Sequence, residues 1–224
     1  MIFAATPPYD GTLARYYRVP GSLVYPLPDH VTLEDGAMAI GASRIIAVDI
    51  VPSRLEFAQQ YVGAETYQPP PPAENEARMD YSRRNADVMK KTLGIEDRGP
   101  KAIDLVIDAS GAEVSIQTAF YVVKIGGIFV QVGMGKPENT IDLGMLMVKE
   151  LVYKGSFRYG PGDYTLAIAL VSQGKIDLKP LVTHRYTFQE ALTAFQATRA
   201  GKSEDGKGVI KAIISGPDVA VDNV

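Results

Sequence analysis

"AIDLVIDASGAEVSIQTAFYVVKIGGIFVQVGMG", residues 102 to 135, is the stretch that decides the fold. The run "IDLVID" is apolar, short enough for a buried strand, and closes on an Asp-Ala-Ser-Gly turn. In "EVSIQTAFYVVK" the residues Ile116, Ala119, Phe120 and Val123 recur at i, i+3, i+4 and i+7, which is one face of a helix. "GGIFVQVGMG" is a second buried strand closed by glycines. Strand, helix and strand within about thirty residues form a βαβ crossover, so the strands are parallel and helices cover the sheet.

The same alternation extends both ways. Upstream, "RIIAVDI" reads as a strand and "PSRLEFAQQYV" as a helix, with Pro52 in its first turn, a Ser53-x-x-Glu56 capping box, and Leu55, Ala58 and Val62 on one face. A polar, proline-rich interval, "YQPPPPAENEARMD", precedes a short helix expected over 82–93, whose apolar stripe is Ala86, Met89 and Leu93. Four consecutive prolines could serve as a polyproline ligand, but a stiff surface spacer is the simpler reading. Arg83, Arg84, Lys90 and Lys91 alternate with Asp80, Asp87 and Glu96, the pattern of a solvated helix face. Downstream, "ELVYKGSFRYGPGD", "YTLAIALVSQGK" with Gly174 as its stop, "PLVTHRYTF", "QEALTAFQATRAG" and "GVIKAII" continue the alternation. The first forty residues differ, with loosely alternating β-type segments and prolines at 20, 26 and 28 suited to strand ends. The fold class is therefore α/β, doubly wound.

Composition narrows the function. The chain has 224 residues, 46% hydrophobic and 22% charged, with a net charge of −3, so no single-sign field points to nucleic acid or a membrane. "MIFAATPP" is too short for a signal-peptide core, and a cytoplasmic location is the default expectation. Cysteine is absent, and the only histidines are His30 and His184. A zinc site of ordinary make-up would need both plus a carboxylate, so no metal ligand is assigned.

Ligands of a parallel α/β sheet lie beyond the carboxyl ends of its strands. That gathers Asp49 to Arg54, "DASGA" at 108–112, "VGMG" at 132–135 and "SFRYG" at 156–160 around one nucleotide site. Asp49, at a strand tip, suits the adenosine ribose hydroxyls and would repel the 2′-phosphate of NADP. The glycines at the other strand ends are expected to let a cofactor approach bare backbone. What is missing is the G-x-G-x-x-G turn about twenty residues before the acid, where the chain reads "PDHVTLEDGAM" with one glycine. "GKSEDGKG", 201–208, nearly spells a phosphate-binding loop, but it ends on Gly208 instead of a hydroxyl residue and precedes a strand, so it is a surface turn.

"FAATPPYDGTLARYYRVP", "LPDHVTLEDGAM", "GASRIIAVDIVPSRLEFA", "DLVIDASGAEVSIQTA", "GSFRYGPGDY" and "GKIDLKPLVTH" together resemble the zinc-dependent medium-chain polyol dehydrogenases, most of all their fungal xylitol-oxidising members. The resemblance implies a truncated Rossmann-like parallel sheet at 39–179, flanked by remnants of a β-rich, GroES-like catalytic domain at 1–38 and 180–224. It implies NAD as cofactor, bound by Asp49 and Arg54 at the ribose, by the backbone of Val132, Gly133 and Met134 beside the nicotinamide, and by Ser156, Phe157 and Arg158. Arg158 and Tyr159 match the pair that reaches the polyol substrate, as in xylitol oxidation to D-xylulose. By the same resemblance, the first Rossmann strand with its glycine loop, and the part bearing the zinc ligands, are missing here. In the family, zinc lowers the pKa of the alcohol and stabilises the alkoxide during hydride transfer, and no residue here is nominated to replace it. No nucleic-acid or membrane partner is expected, and a homo-oligomer is compatible with the family. The alternative to an NAD-dependent dehydrogenase is a catalytically silent α/β fragment or scaffold.

Overall fold

The computed structural model describes residues 44–157, 162–174 and 176–219. Backbone contacts group the chain into two compact units, 44–158 and the combination of 1–43 with 159–224.

The first unit begins with strand β1 (Ile46–Val48), helix α1 (Pro52–Val62) and strand β2 (Glu65–Tyr67), which pairs parallel to β1. Helix α1 has the expected bounds, but no capping box: its N-cap is Val51, Pro52 opens the first turn, and no side chain caps the end. Ser53 already lies inside the helix, because proline's fixed φ and missing N–H favour the first helical position. Gly63 ends the helix in the left-handed conformation, its N–H reaching the carbonyls of Ala58 and Gln59. Of the expected apolar face, Leu55 is buried and Val62 is exposed.

Helix α2 (Arg78–Leu93) starts four residues earlier than expected, with Asp80 in its first turn and Lys90 and Lys91 in its last, as the helix dipole favours. The prolines before it are held by that helix: Tyr81 donates to the Pro70 carbonyl at 3.0 Å and Arg84 to that of Pro71 at 3.2 Å. Strand β3 (Ile103–Asp108), helix α3 (Glu113–Val122), strand β4 (Val123–Gln131), helix α4 (Leu143–Val148) and strand β5 (Val152–Gly155) follow, and β3, β4 and β5 form a parallel sheet in that order. The register aligns Val106 with Phe129 and Tyr153 on one face, and Leu105 with Ile128 and Val152 on the other.

The first of these faces is covered. Phe120 of α3 meets Phe129 edge-on at 5.2 Å, and Tyr153 stacks on Phe129. Helices α2 and α3 approach closely through Ser82, which is fully buried and donates to the Arg78 carbonyl and to Gln117 Oε1, both at 2.8 Å. Lys149 is buried where α3 runs into β4; it donates to the carbonyls of Tyr121 and Val123 at 2.7 Å and pairs with Asp97 at 3.1 Å. Burial pushes its pKa down, and the neighbouring Asp97 carboxylate works against that shift.

The opposite face of this sheet is open, with Leu105, Ile107 and Val152 each more than 40% exposed. The sheet is also interrupted. Among the described residues β1 pairs only with β2, and β3 only with β4, so each keeps one unpaired edge. Both halves rest on α2, whose Ala86 and Met89 share a core cluster with Tyr67 and Ile46 on one side and Ile103 on the other.

In the second unit, helix α5 (Asp163–Ser172) runs into a small core of Val171, Leu178, Ile176 and Leu181, which explains its grouping with the later part of the chain instead of with 44–158. Strands β6 (Val182–Tyr186) and β7 (Lys211–Ile214) pair parallel around helix α6 (Ala191–Ala200). A genuine capping box stands before α6: the Glu190 carboxylate accepts from the Thr187 N–H at 2.8 Å, and the Thr187 hydroxyl faces the helix end. The "GKSEDGKG" segment is a turn before β7, as expected: Ser203 bonds Asp205 and His184, and Lys202 bridges back to Gly208.

Candidate cofactor site at the strand ends

Asp49 directly follows β1. Its Oδ1 accepts from the Val51 N–H at 2.8 Å, and its Oδ2 stands 3.5 Å from Arg54. The carboxylate is thus oriented by the entry to α1 and steadied by a guanidinium, while remaining partly open to solvent. A ribose diol could reach the oxygen that faces Arg54.

The carboxyl ends of β3 and β4 are built around Asp108, the first residue of the "DASGA" stretch expected at the site, though the sequence gives it no individual role there. It is buried, and its carboxylate accepts four hydrogen bonds: from Ser110 Oγ at 2.7 Å, the Gly111 N–H at 2.8 Å, Ser115 Oγ at 2.9 Å and Gln131 Nε2 at 2.6 Å. Burial alone would raise its pKa, but these donors outweigh it and hold the carboxyl below its ordinary value. The backbone carbonyl of Asp108 also accepts from the N–H groups of Val132 and Gly133 at 2.9 and 2.8 Å. One residue therefore fixes both the 108–115 turn and the start of the 132–135 loop. The sequence signal was an Asp-x-Ser-Gly at a strand end, which the hydroxyl and amide donors turn into a closed network.

The glycines of these two loops face each other. Gly111 has φ +68°, and a Cβ on it would overlap the Gly135 nitrogen and lie 2.6 Å from the Met134 carbonyl carbon. A Cβ on Gly133 would lie 2.6 Å from the Ala109 carbonyl carbon, and one on Gly135 would lie 2.7 Å from that of Gly111. The sequence reading gave this bare backbone to an approaching cofactor. In the structure it is used first by one loop packing against the other, with no room for side chains between them.

Beside the clasped loops lies an open cleft of about 470 Å³, lined by Arg78, Ser110, Glu113, Lys136 and Asn139. Two buried acceptors here lack partners, Gln131 Oε1 and Asn139 Oδ1. Val132 and Met134 are exposed, and the Ser156 N–H bonds the Gln131 carbonyl at 2.8 Å, which brings the chain after β5 alongside this loop. Phe157 follows it and is largely exposed. Arg158, Tyr159 and His30 lie outside the described residues.

The family model of the zinc-binding dehydrogenases matches residues 34–173. The chain is 40% identical over 255 residues to the probable D-xylulose reductase A of Aspergillus clavatus, covering 96% of this chain and 66% of the relative. It is 39% identical to the D-xylulose reductase A of Aspergillus niger, covering 97% of this chain and 67% of that one. Thus the chain spans about two thirds of the length of these relatives. Since 96% of 224 residues is about 215, some forty of the 255 aligned positions have no counterpart in this chain. Among solved structures it resembles an Escherichia coli alcohol dehydrogenase complexed with NADH, with TM-score 0.60 and 20% identity over 77% of this chain and 44% of that one. It also resembles L-idonate 5-dehydrogenase of the same species, with TM-score 0.57 and 24% identity over 78% of this chain and 44% of that one. These two likenesses show a Rossmann-like α/β fold.

The family description implies zinc, and the donors of the described residues do not fit it. The chain has no cysteine, the described residues hold no group of three or more His, Asp or Glu able to share a metal, and both ring nitrogens of His184 are engaged, with Thr183 and Ser203. A dinucleotide fits in part: Asp49 stands at the end of β1 and the 132–134 loop is exposed, while among the described residues no G-x-G-x-x-G turn leads from a strand into a helix to hold a pyrophosphate. Among them, no helix is long and apolar enough to cross a membrane.

Proposed function

Because this chain belongs to the zinc-binding dehydrogenase family, we propose that it carries the cofactor half of an NAD-dependent polyol dehydrogenase of the xylitol/D-xylulose type. The observation that carries this reading is Asp49 at the tip of β1, oriented by the Val51 amide and backed by Arg54. An acid there accepts from the 2′- and 3′-hydroxyls of NAD and repels the extra phosphate of NADP. Val132, Gly133 and Met134 would flank the nicotinamide, with Ser156, Phe157 and Arg158 close by, while Arg158 and Tyr159 would bind the polyol hydroxyls. When bound, NAD supplies the hydride acceptor; the chain's own part is to orient it, with Asp108 and Gln131 holding the 132–134 loop.

A second reading, a catalytically silent α/β fragment, is favoured by the interrupted sheet and the donors unsuited to zinc among the described residues. Titration with NADH, followed by xylitol oxidation at high NAD and metal analysis of the purified protein, separates the two. The expected result is weak NADH binding that Asp49→Ala abolishes, little zinc, and no turnover. Turnover that depends on Arg158 would show this chain to be a complete enzyme, and binding of NADPH as tight as NADH would overturn the assignment of Asp49.

A further inference from the structure

Four consecutive prolines, Pro69 to Pro72, lie between β2 and α2. Proline fixes its own φ at about −65° and drives the residue before it to an extended ψ. Each of residues 68–71 precedes a proline, so the backbone from Pro69 to Pro71 is confined to the polyproline II form. In keeping with this, residues 68–73 belong to no helix, strand or turn. At about three residues per turn and ~3.1 Å per residue, Pro69 and Pro72 stand on one side of the segment, roughly 9 Å apart.

A spacer needs only stiffness, but this segment is also fastened along one side. Tyr81 donates to the Pro70 carbonyl at 3.0 Å and Arg84 to the Pro71 carbonyl at 3.2 Å. The two donors support each other. The Arg84 guanidinium lies over the Tyr81 ring, 5.4 Å from its centroid, and donates to both oxygens of Glu76 at 2.7 Å. Glu76 in turn accepts from the Ala73 N–H at 2.8 Å, which closes the turn that follows the prolines. These fastenings take up the carbonyls of Pro70 and Pro71 and leave the rest open. Pro71 and Pro72 are exposed, and no described residue donates to the carbonyls of Pro69 or Pro72. Glu74, also exposed, has no partner among the described residues.

We infer that residues 69–74 are a docking ligand for a protein module that has an aromatic-lined proline groove with a cation at its end. Such a groove matches what the segment leaves open. Its flat aromatic walls accept the adjacent rings of Pro71 and Pro72, and its hydroxyl or indole donors reach the free carbonyls of Pro69 and Pro72. A Lys or Arg beyond the groove pairs with Glu74. A loose proline tract must be ordered as it binds, whereas this one is held by α2 before the partner arrives, so less conformational entropy is lost.

The test titrates the full chain into a panel of purified, isotope-labelled SH3, WW and EVH1 domains and follows the shifts of their groove aromatics. At least one domain should bind one-to-one with a Kd below about 0.1 mM. Pro72→Ala, an exposed change that should leave the melting temperature as it is, should weaken binding about tenfold. Glu74→Gln should weaken it about twofold and reduce its dependence on salt. A free peptide of residues 67–76 should bind about tenfold more weakly than the chain, and Tyr81→Phe should move the chain part of the way toward the peptide. The inference is overturned if no domain of the panel binds, or if Pro72→Ala binds as tightly as the unaltered chain. It is equally overturned if the peptide matches the chain, because the mounting on α2 then presents nothing.

Discussion

Replacing Gly111 by alanine should separate the two reasons a glycine can be required at a strand end. At φ +68° an alanine carries the left-handed penalty of about 1–2 kcal/mol. Its Cβ would also press into the Met134–Gly135 backbone, and such overpacking costs about 1–3 kcal/mol where the neighbour is main chain. The sum is roughly 2–5 kcal/mol, out of a total stability of about 5–15. Gly63 is the internal control: it has nearly the same φ, +66°, but nothing within 4 Å of the added Cβ, so Gly63→Ala should show the first cost alone. The two variants should differ by about 1–3 kcal/mol in urea denaturation, or roughly 2–12 °C in melting temperature. Gly133→Ala and Gly135→Ala lack the positive φ and should show the second cost alone. If Gly111→Ala is no worse than Gly63→Ala, the loops do not clasp as described, and the glycines are free for the role the sequence alone suggested.

Asp108→Asn should lower stability by about 1–3 kcal/mol at neutral pH, because a neutral amide oxygen cannot hold four donors as the carboxylate does. The folded pKa of Asp108 is depressed, so its contribution is complete above the ordinary aspartate value and is lost as pH falls through the lower folded value; Asp108→Asn should flatten stability against pH over that acidic range, as measured by denaturation at a series of pH values. Lys149→Met should cost about 3 kcal/mol by stranding the Tyr121 and Val123 carbonyls, and a change below about 0.5 in denaturant titration would contradict that. Thr187→Ala should cost about 1 kcal/mol through loss of the capping box on the 3-10 turn (Phe188–Glu190) that leads into α6, whereas Ser53→Ala in α1 should be nearly silent, a contrast that thermal melts resolve.

The parts of the fold that were legible in the sequence are those where one periodicity dominates. Ile116, Ala119 and Phe120 pack in the core cluster their spacing announced, whereas Val123, expected on the same helix face, joins that cluster as the first residue of β4 because α3 ends at Val122; Ala86 and Met89 are buried as expected. Shorter or amphiphilic elements were not legible. Strand β2 is three residues, Glu-Thr-Tyr, and owes its existence to pairing with β1 and to the ion pair of Glu65 with Arg44 at 2.7 Å. Helix α4 exposes most of its apolar residues, so no stripe betrayed it. The capping signal was assigned to Ser53, where Pro52 had already opened the helix, and the working one at Thr187 was overlooked. The position of Asp49 at the end of β1 was legible because an acid closing an apolar strand is a local signal. The clasp of Gly111 with Gly135 was not, since it depends on two turns meeting across a sheet.

Helix α2 acts as a splice between two half-sheets that share no hydrogen-bonded ladder. The attachment runs through side chains: Tyr67 to Asn85 at 2.8 Å, Arg44 to the Leu93 carbonyl at 2.6 Å, and Ile46 against the helix. A backbone ladder breaks as a unit, whereas contacts of this kind release one by one. The segment 44–67 should therefore behave as a separable foldon, opening at a lower free energy than the β3–β5 sheet and exchanging its amides first. The consequence reaches the ligand: Asp49 rides on the weaker piece, so any cofactor it grips must also supply the free energy that keeps that piece in place.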